Sequence, residues 1–196
     1  LQGNDTITGG SNDDTILGGA GSDVLDGGDG TNSLEFWDRN GGETQGAVVN
    51  LEAGTAVDNF GSTDTITNFT HVWGSSLGDS LTGDTQNNRL GGNDGNDTLI
   101  GLAGDDSLWG GNGDDSLIGG DGSDWLEDGS GNDQVFGGEG DDVIQNIGGS
   151  DTFDGGAGRD RLVTDVRGIE DQIIANTGID ASQIAIGFNT VTGTHG

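Results

Sequence analysis

A nine-residue period runs through most of the sequence and sets the main limit on how the chain can fold. Ten consecutive nonapeptides extend from Gly74 to Val163 without an insertion. Four further copies, the first truncated, occupy residues 1–35. The best copies carry glycine at positions one, two and four, aspartate at position six and a large aliphatic residue at position eight. A fixed short period is typical of a solenoid, in which each repeat packs only against its neighbours.

The last three positions of each nonapeptide read as a short β-strand. Position eight is Ile, Leu, Val or Phe in every copy, so its side chain is predicted to point inward while positions seven and nine point outward. The first six positions read as a tight turn, because glycine permits positive φ and leaves carbonyl oxygens free. Two successive nonapeptides would complete one coil, and stacked coils would form two parallel sheets around a thin core. The predicted fold class is therefore an all-β parallel β-roll.

The strong negative charge of the chain predicts a cationic partner. Asp and Glu together number 35 against five Lys and Arg, and the formal charge is −30. Only 29% of the residues are hydrophobic, and a chain of low hydrophobicity and high charge tends to stay disordered. Carboxylate and carbonyl oxygens are the ligands that hard divalent cations prefer, so the predicted cofactor is calcium, bound as several ions. The absence of cysteine excludes disulfide bonds and thiolate metal sites.

The predicted calcium ligands lie at the turns. Because each turn would stack on the turn two repeats later, the position-six residues would form two opposite edges of the roll. An ion between neighbouring turns would take aspartate carboxylates and backbone carbonyls to reach about six oxygens. The predicted position-six ligands are Asp5, Asp14, Asp23, Asp79, Asp97, Asp106, Asp115, Asp124, Asp133, Asp142, Asp151 and Asp160. The predicted turn ligands are Gly101, Ala103, Gly104, Gly110, Gly111, Asn112, Gly113, Gly119, Gly120, Asp121, Gly122, Gly129, Gly131, Gly137, Gly138, Glu139 and Gly140. Asn32 and Asn88 lack the charge at position six, so weak or empty sites are expected there.

Several nonapeptides match one consensus closely. GGNGDDSLI from Gly110 and GGEGDDVIQ from Gly137 both fit G-G-x-G-x-D-x-U-x, which is the pattern of the RTX repeat. The chain therefore resembles the RTX (repeats-in-toxin) regions of proteins exported by type I secretion. The resemblance covers nearly the whole chain. It implies a right-handed parallel β-roll, secretion from a Gram-negative bacterium and folding triggered by extracellular calcium.

Residues 36–73 interrupt the period between the first repeat block and the ten-repeat roll of residues 74–163. Within them, residues 46–60 predict a β-hairpin that turns at residues 52–55. The segment is interpreted as a wider, degenerate coil with one irregular calcium site at Asp58 or Asp64. A ligand-binding role for this segment is the alternative interpretation.

Residues 164–196 lack the glycine pattern. A short apolar helical face is predicted around Ile173, followed by a strand or hairpin from Ser182 to Val191. An open roll exposes its last coil, so this tail is predicted to be a C-terminal cap. The alternatives are that it begins a further domain or approaches an export signal.

No catalytic constellation is recognisable in the sequence. The two histidines are His71 and His195, and neither an H-E-x-x-H nor a G-x-S-x-G motif occurs. Paired aspartates such as Asp105 and Asp106 recur with the repeat, which favours a role as turn residues over general acid–base catalysis. The acidic field disfavours nucleic acid as a partner, and no apolar run is long enough to span a membrane. The chain is therefore predicted not to be an enzyme by itself.

Some outward positions carry large apolar side chains that form columns. Ile100, Ile118 and Phe136 recur at every second repeat and are predicted to stack on one sheet, while Trp109 and Trp125 lie on the other. Scattered exposed apolar residues are common on soluble proteins, whereas columns often mark a contact surface. The candidate partners are a neighbouring domain, a second copy of the chain, or a sugar stacked on the tryptophans.

The predicted function is calcium-dependent folding that supports the secretion and stability of a larger secreted, extracellular protein. Two alternatives remain open. One is a polysaccharide- or surface-binding module of the kind found in adhesins and alginate epimerases. The other is a non-catalytic part of an enzyme whose active domain precedes Leu1.

Overall fold

Short strands alternate with tight turns throughout the protein. The computed structural model describes residues 2–37, 42–165 and 185–187, and these ranges contain no helix. It follows that nothing in them is a helix with the length and apolarity needed to cross a bilayer. The strands are β1 Thr6–Gly10, β2 Thr15–Ile16, β3 Val24–Gly28, β4 Ser33–Glu35, β5 Val48–Asn50, β6 Thr55–Val57, β7 Thr63–Thr67, β8 His71–Trp73, β9 Ser80–Thr82, β10 Arg89–Asp94, β11 Thr98–Ala103, β12 Ser107–Asn112, β13 Ser116–Asp121, β14 Trp125–Ser130, β15 Gln134–Glu139, β16 Val143–Asn146, β17 Thr152–Ala157, β18 Arg161–Asp165 and β19 Ala185–Gly187.

Strands from alternate repeats assemble into two separate sheets. Among the described residues, one sheet has the order β1-β3-β7-β6-β5-β9-β11-β13-β15-β17, and the other has the order β2-β4-β8-β10-β12-β14-β16-β18-β19. Neighbouring strands of the ten-repeat block are parallel, and partners such as Leu99 and Leu117 come from every second repeat. The same offset places Leu108 opposite Leu126 in the second sheet. The predicted parallel β-roll with two repeats per coil is confirmed.

In the ten-repeat block the core between the sheets consists of position-eight side chains. From Leu81 to Leu162 every position-eight residue is at most 1% exposed. Ile16, Leu25 and Leu34 continue this core in the first repeat block. Each repeat of nine ordered residues therefore buries only one large apolar side chain. The hydrophobic stabilisation from that side chain is small compared with the conformational entropy that the nine residues lose on folding.

The interrupting segment widens one sheet but not the other. Strand β5 pairs antiparallel with β6, and β6 pairs antiparallel with β7. The outer members of this meander then join the roll in parallel, β7 beside β3 and β5 beside β9. In the opposite sheet the single strand β8 connects β4 with β10. The hairpin expected within residues 46–60 thus corresponds to β5 and β6, which add two strands to one sheet.

The roll continues for one strand beyond the last repeat. Strand β19 pairs in parallel with β18, with Val163 opposite Ala185. The remainder of the tail, including the expected helical face around Ile173, lies outside the described residues. The predicted C-terminal cap therefore stays a prediction.

Candidate metal sites

The position-six carboxylates form ladders along both edges of the roll. The backbone N–H of Asp79 donates to Oδ1 of Asp97 at 2.7 Å, and the N–H of Asp97 donates to Oδ1 of Asp115 at 2.8 Å. This edge continues through Asp133 to Asp151, and the opposite edge runs through Asn88, Asp106, Asp124, Asp142 and Asp160. The first block has its own ladders, through Asp5, Asp23 and Asp64 and through Asp14 and Asn32. Turns therefore stack on turns two repeats away, as the period predicts.

The second oxygen of most of these carboxylates is buried without a donor. Within the described chain, Oδ2 lacks a hydrogen-bond partner in Asp5, Asp23, Asp97, Asp106, Asp115, Asp124, Asp133, Asp142 and Asp160. A buried polar atom without a partner costs free energy, and a buried charge costs more. A cation at each such oxygen would remove that penalty.

A backbone carbonyl oxygen from the next coil faces the free carboxylate oxygen in five of these aspartates, Asp97, Asp106, Asp115, Asp124 and Asp142. A methyl group built on Gly92 would lie 2.0 Å from Oδ2 of Asp97 and 2.7 Å from the carbonyl oxygen of Gly110. The same construction on Gly101 meets Oδ2 of Asp106 at 2.2 Å and the carbonyl oxygen of Gly119 at 2.5 Å. The two oxygens converge beside position one, where the glycines of these two repeats leave room for them. Convergent carboxylate and carbonyl oxygens form the donor set that calcium prefers, so the residues fit this ion.

In the regular repeats the backbone requires glycine at positions two and four. Gly111 has a φ of 114° and Gly113 a φ of 134°, and side chains other than glycine rarely adopt such angles. A methyl group on Gly113 would also lie 1.7 Å from the carbonyl oxygen of Gly95 in the preceding coil. Five repeats of the block have another residue at position two, and two of these residues, Asn93 and Leu102, also have a positive φ, of 82° each.

Seven of the predicted turn ligands fall into two groups in the structure. The carbonyl oxygens of Gly110, Gly119 and Gly137 lie beside position one of the preceding coil, each next to a free carboxylate oxygen, whereas that of Gly101 lies next to Oδ1 of Asn88. The carbonyl oxygens of Asn112, Asp121 and Glu139, at position three, each accept a hydrogen bond from the position-four N–H of the preceding coil. The first group faces the candidate sites directly. The second group fixes the stacking of the turns and keeps one lone pair on each oxygen.

Burial raises the pKa values of several ladder carboxylates. Burial raises the pKa of Asp97 to about 7; the backbone N–H bond opposes this shift and neighbouring carboxylates add to it. The pKa of Asp106 is also raised to about 7, again mainly by burial. Loss of hydration disfavours the charged form of a carboxyl group. A divalent cation that binds at these edges would therefore displace protons from the buried carboxyl groups.

The asparagines at position six differ from the aspartates in their hydrogen bonds. Nδ2 of Asn32 donates to the carbonyl oxygen of Asn68 at 3.0 Å. In the regular repeats the carbonyl oxygen at this place lies next to a carboxylate oxygen and not next to an amide N–H donor. Nδ2 of Asn88 donates to Oδ1 of Asp84 at 3.2 Å. These contacts agree with the expectation of weak or empty sites, which stays a prediction.

The interrupting segment contains one further carboxylate with a free oxygen. Oδ1 of Asp58 accepts from the backbone N–H groups of Phe60 and Ser62, at 3.0 and 2.7 Å. Its Oδ2 is buried and has no partner within the described ranges. Asp64 instead belongs to the ladder of the first block, since its Oδ1 accepts from the N–H of Asp23.

Two residues at the repeat edge were not among the predicted ligands. Asp128 and Asn146 occupy position one, where the other eight repeats of the block have glycine. Nδ2 of Asn146 donates to Oδ2 of Asp128 at 3.1 Å and to Oδ2 of Asp151 at 2.5 Å. Burial raises the pKa of Asp128 to about 8. Their separation by two repeats, which is one coil, is the sequence signal that could have identified them as neighbours.

The outward apolar residues form a column on one sheet. Ile100 lies opposite Ile118, and Ile118 lies opposite Phe136, whose exposed fraction is 36%. On the other sheet the two predicted tryptophans are not opposite each other, because Trp109 faces Glu127 and Trp125 faces Ser107. Trp109 instead stacks on Trp73 across Gly91, with ring centroids 5.6 Å apart.

Comparison with protein families agrees with this geometry. The family described as the RTX calcium-binding nonapeptide repeat (4 copies) matches residues 1–34, 73–108, 91–126, 118–145 and 148–165. A search of curated proteins finds no match. The repeats of this family bind calcium ions, and its members are typically secreted by Gram-negative bacteria. The matched residues make up more than half of the chain, which belongs to the RTX calcium-binding nonapeptide repeat family.

Proposed function

We propose that this roll is a folding module that calcium switches on outside the cell. Calcium ions bind between stacked turns, fold the chain, and thereby support the secretion and stability of a larger secreted protein. One observation carries the proposal. Along both edges, buried Oδ2 atoms such as those of Asp97 and Asp106 have no donor in the described chain and face backbone carbonyls of the next coil.

The proposed ligands follow from that geometry. Each ion takes the free oxygen of a position-six aspartate, exemplified by Asp97, and carbonyl oxygens of the facing turn, exemplified by Gly110. Bound calcium supplies positive charge to a chain whose formal charge is −30. Because the sites exist only when coils are stacked, the free energy of binding is also free energy of folding.

The direction of the switch follows from the calcium concentration. Without calcium, the thin core and the buried carboxylates leave little net stability, so the chain stays unfolded and can pass through a narrow exporter. At high extracellular calcium, mass action favours the folded roll, because only the folded form presents the sites. Once the chain has folded outside the cell, it can no longer pass back through the exporter.

Far-UV circular dichroism during a calcium titration tests this proposal, with magnesium as the control. A cooperative gain of β signal with calcium, and none at equal magnesium, is expected. A chain that stays disordered at saturating calcium would overturn the proposal. A chain already fully folded in chelator would remove the switch and leave calcium only a stabilising role.

The RTX roll is a structural module rather than a catalytic fold, and we propose that this chain performs no reaction itself.

A second candidate function is binding of a polysaccharide on the tryptophan-bearing sheet. The stacked indoles of Trp73 and Trp109, together with Trp125 at 38% exposure, favour it. Binding to immobilised polysaccharide that is lost in Trp109→Ser and Trp125→Ser, with calcium-induced folding retained, would support this second function.

A further inference from the structure

One pair of adjacent turns replaces the position-one glycines with side chains that contact each other. Position one is glycine in eight of the ten repeats from Gly74 to Val163, and the exceptions are Asp128 and Asn146. They are two repeats apart, so they occupy successive coils on the same edge. In the regular repeats position one itself has no side chain, and a position-six carboxylate oxygen and a carbonyl oxygen converge beside it.

The two substitutions change a regular turn pair into a cluster of three carboxylates and an amide. Oxygens of Asp128, Asp133 and Asp151 lie within 4.8 Å of one another. All three residues are almost fully buried, at 0%, 1% and 2% exposure, and Asn146 is 2% exposed. Asp133 and Asp151 are ordinary position-six ligands, so Asp128 and Asn146 are additions to them.

The hydrogen bonds within the cluster leave two acceptors unsatisfied. Oδ1 of Asp128 accepts from the backbone N–H groups of Gly129 and Ile147, at 2.6 and 2.9 Å. Nδ2 of Asn146 bridges the other oxygen of Asp128 to Asp151. Oδ2 of Asp133 and Oδ1 of Asn146 remain buried, without a partner among the described residues. One neutral amide is the only side-chain donor for three buried carboxylates in the described contacts, so the cluster has a deficit of positive charge.

We propose that Asp128, Asp133, Asp151 and Asn146 form a calcium site that is distinct from the regular turn sites and binds the ion more tightly. The inference rests on the proposed function and assigns unequal affinities to its sites. Calcium affinity rises with the number of charged ligands and with site rigidity. Rotation of the Asn146 amide would present its free Oδ1 to the ion, and the two orientations differ only in which amide atom faces the carboxylates.

The ligand set also defines the class of ion. All four side chains offer oxygen, which suits calcium and other hard cations and disfavours zinc and copper. A trivalent lanthanide would match the three carboxylates in charge, so terbium serves as a second probe of the same cluster.

Calorimetric titration of the intact chain with calcium tests the inference. Wild type is expected to bind about one ion roughly tenfold more tightly than the rest, because this site has more charged ligands than the others. Asp128→Gly restores the repeat consensus and should abolish that tight class while later binding and the gain of β signal persist. Asn146→Gly should weaken it. Glu127→Gln is the matched control, since it removes a neighbouring carboxylate on the outer face of β14 and should leave the tight class unchanged.

Several results would overturn the inference. A tight class that survives in Asp128→Gly, or that strengthens, would show that the contact between Asp128 and Asn146 replaces an ion instead of binding one. Calcium-induced folding of wild type with no tight class would refute this site and leave the proposed function intact. The absence of any calcium binding would refute both. If Asp128→Gly fails to fold at saturating calcium, Asp128→Asn, which keeps the size of the side chain, decides by the same criterion.

Discussion

The backbone N–H of Asp97 donates to Oδ1 of Asp115, one coil further along the chain, at 2.8 Å. Asp115 thereby uses one carboxylate oxygen to hold the preceding turn in register, as most ladder aspartates do. Its other oxygen is buried beside the carbonyl oxygen of Asp128 in the following coil and has no donor within the described residues. One residue type thus sets the stacking of the coils and supplies the charge for a cation, which explains why aspartate recurs at position six.

Replacement of one ladder carboxylate by an amide should separate these two roles. In Asp115→Asn, Oδ1 can still accept from the N–H of Asp97, but the second oxygen becomes an N–H donor. We expect calcium binding at the sites beside residue 115 to weaken about tenfold, because an anionic ligand is lost. The calcium midpoint measured by circular dichroism should rise accordingly, with an unchanged spectrum at saturation.

Asp121→Asn is the control for this substitution. Asp121 is an exposed position-three aspartate in the turn that follows residue 115, and its change removes the same charge away from the ladder. The two variants should differ clearly in calcium midpoint. Equal shifts in both would mean that overall charge, and not coordination at position six, controls folding.

Acidification should stabilise the calcium-free roll. Carboxyl groups of the unfolded chain titrate near pH 4, whereas burial raises the pKa values of Asp97 and Asp106 to about 7 in the roll. Between these limits the folded form binds more protons than the unfolded form, so the free energy of unfolding falls as pH rises. The penalty is complete above about pH 7 and vanishes near pH 4.

Far-UV circular dichroism of the calcium-depleted chain at several pH values measures this effect. The β signal should rise as pH is lowered from about 7.5 to about 4.5, because protonation stabilises the roll. With saturating calcium the trend should reverse, because protons compete with the ion for the carboxylates. A calcium-free β signal that is independent of pH would show that the ladder carboxylates are not buried as described.

Periodicity predicted the repeating parts of this structure and could not predict the departures from it. The file of position-eight side chains, the coil of two repeats and the two edges follow from nine-residue spacing, because every repeat meets the same neighbours. The placement of β5 and β6 beside β9 in one sheet only depends on pairing between distant, non-repeating segments, which spacing does not encode.

The candidate sites divide in the same way. Aspartate at position six could be recognised as an edge ligand from its recurrence. Asp128 and Asn146 stand in a column otherwise filled by glycine, so they read as exceptions to the motif rather than as ligands. Their contact becomes evident only when the coils are stacked and their side chains meet at 3.1 Å.

At position two, replacement of a glycine by alanine should destabilise the roll, whereas replacement of Leu102 by glycine should stabilise it. Gly120 has a φ of 120°, and a methyl group on it would lie 2.0 Å from the carbonyl oxygen of Leu102. Gly120→Ala is expected to cost about 3 kcal/mol or more, from a disfavoured backbone conformation and a clash between stacked turns. Leu102 already has a φ of 82°, so Leu102→Gly should relieve backbone strain and stabilise the roll by up to about 1 kcal/mol.

Urea unfolding of both variants at saturating calcium provides the comparison. The two substitutions should shift the unfolding midpoint in opposite directions. A mild effect of Gly120→Ala would indicate that the coils can move apart to admit a side chain, contrary to the close turn stacking described above.

Gly91 should be required for the stacking of two tryptophans on the outer face of the roll. It lies between Trp73 and Trp109 in neighbouring strands, and their ring planes meet at 24° with centroids 5.6 Å apart. A methyl group on Gly91 would lie 2.3 Å from the ring of Trp73. Gly91→Ala should therefore separate the indoles and remove their coupled aromatic signal in circular dichroism. Because the added methyl group meets only this indole at short range, the calcium midpoint should change little. Retention of the aromatic signal in Gly91→Ala, with its loss in Trp109→Ser, would instead mean that the ring of Trp73 shifts without leaving its partner.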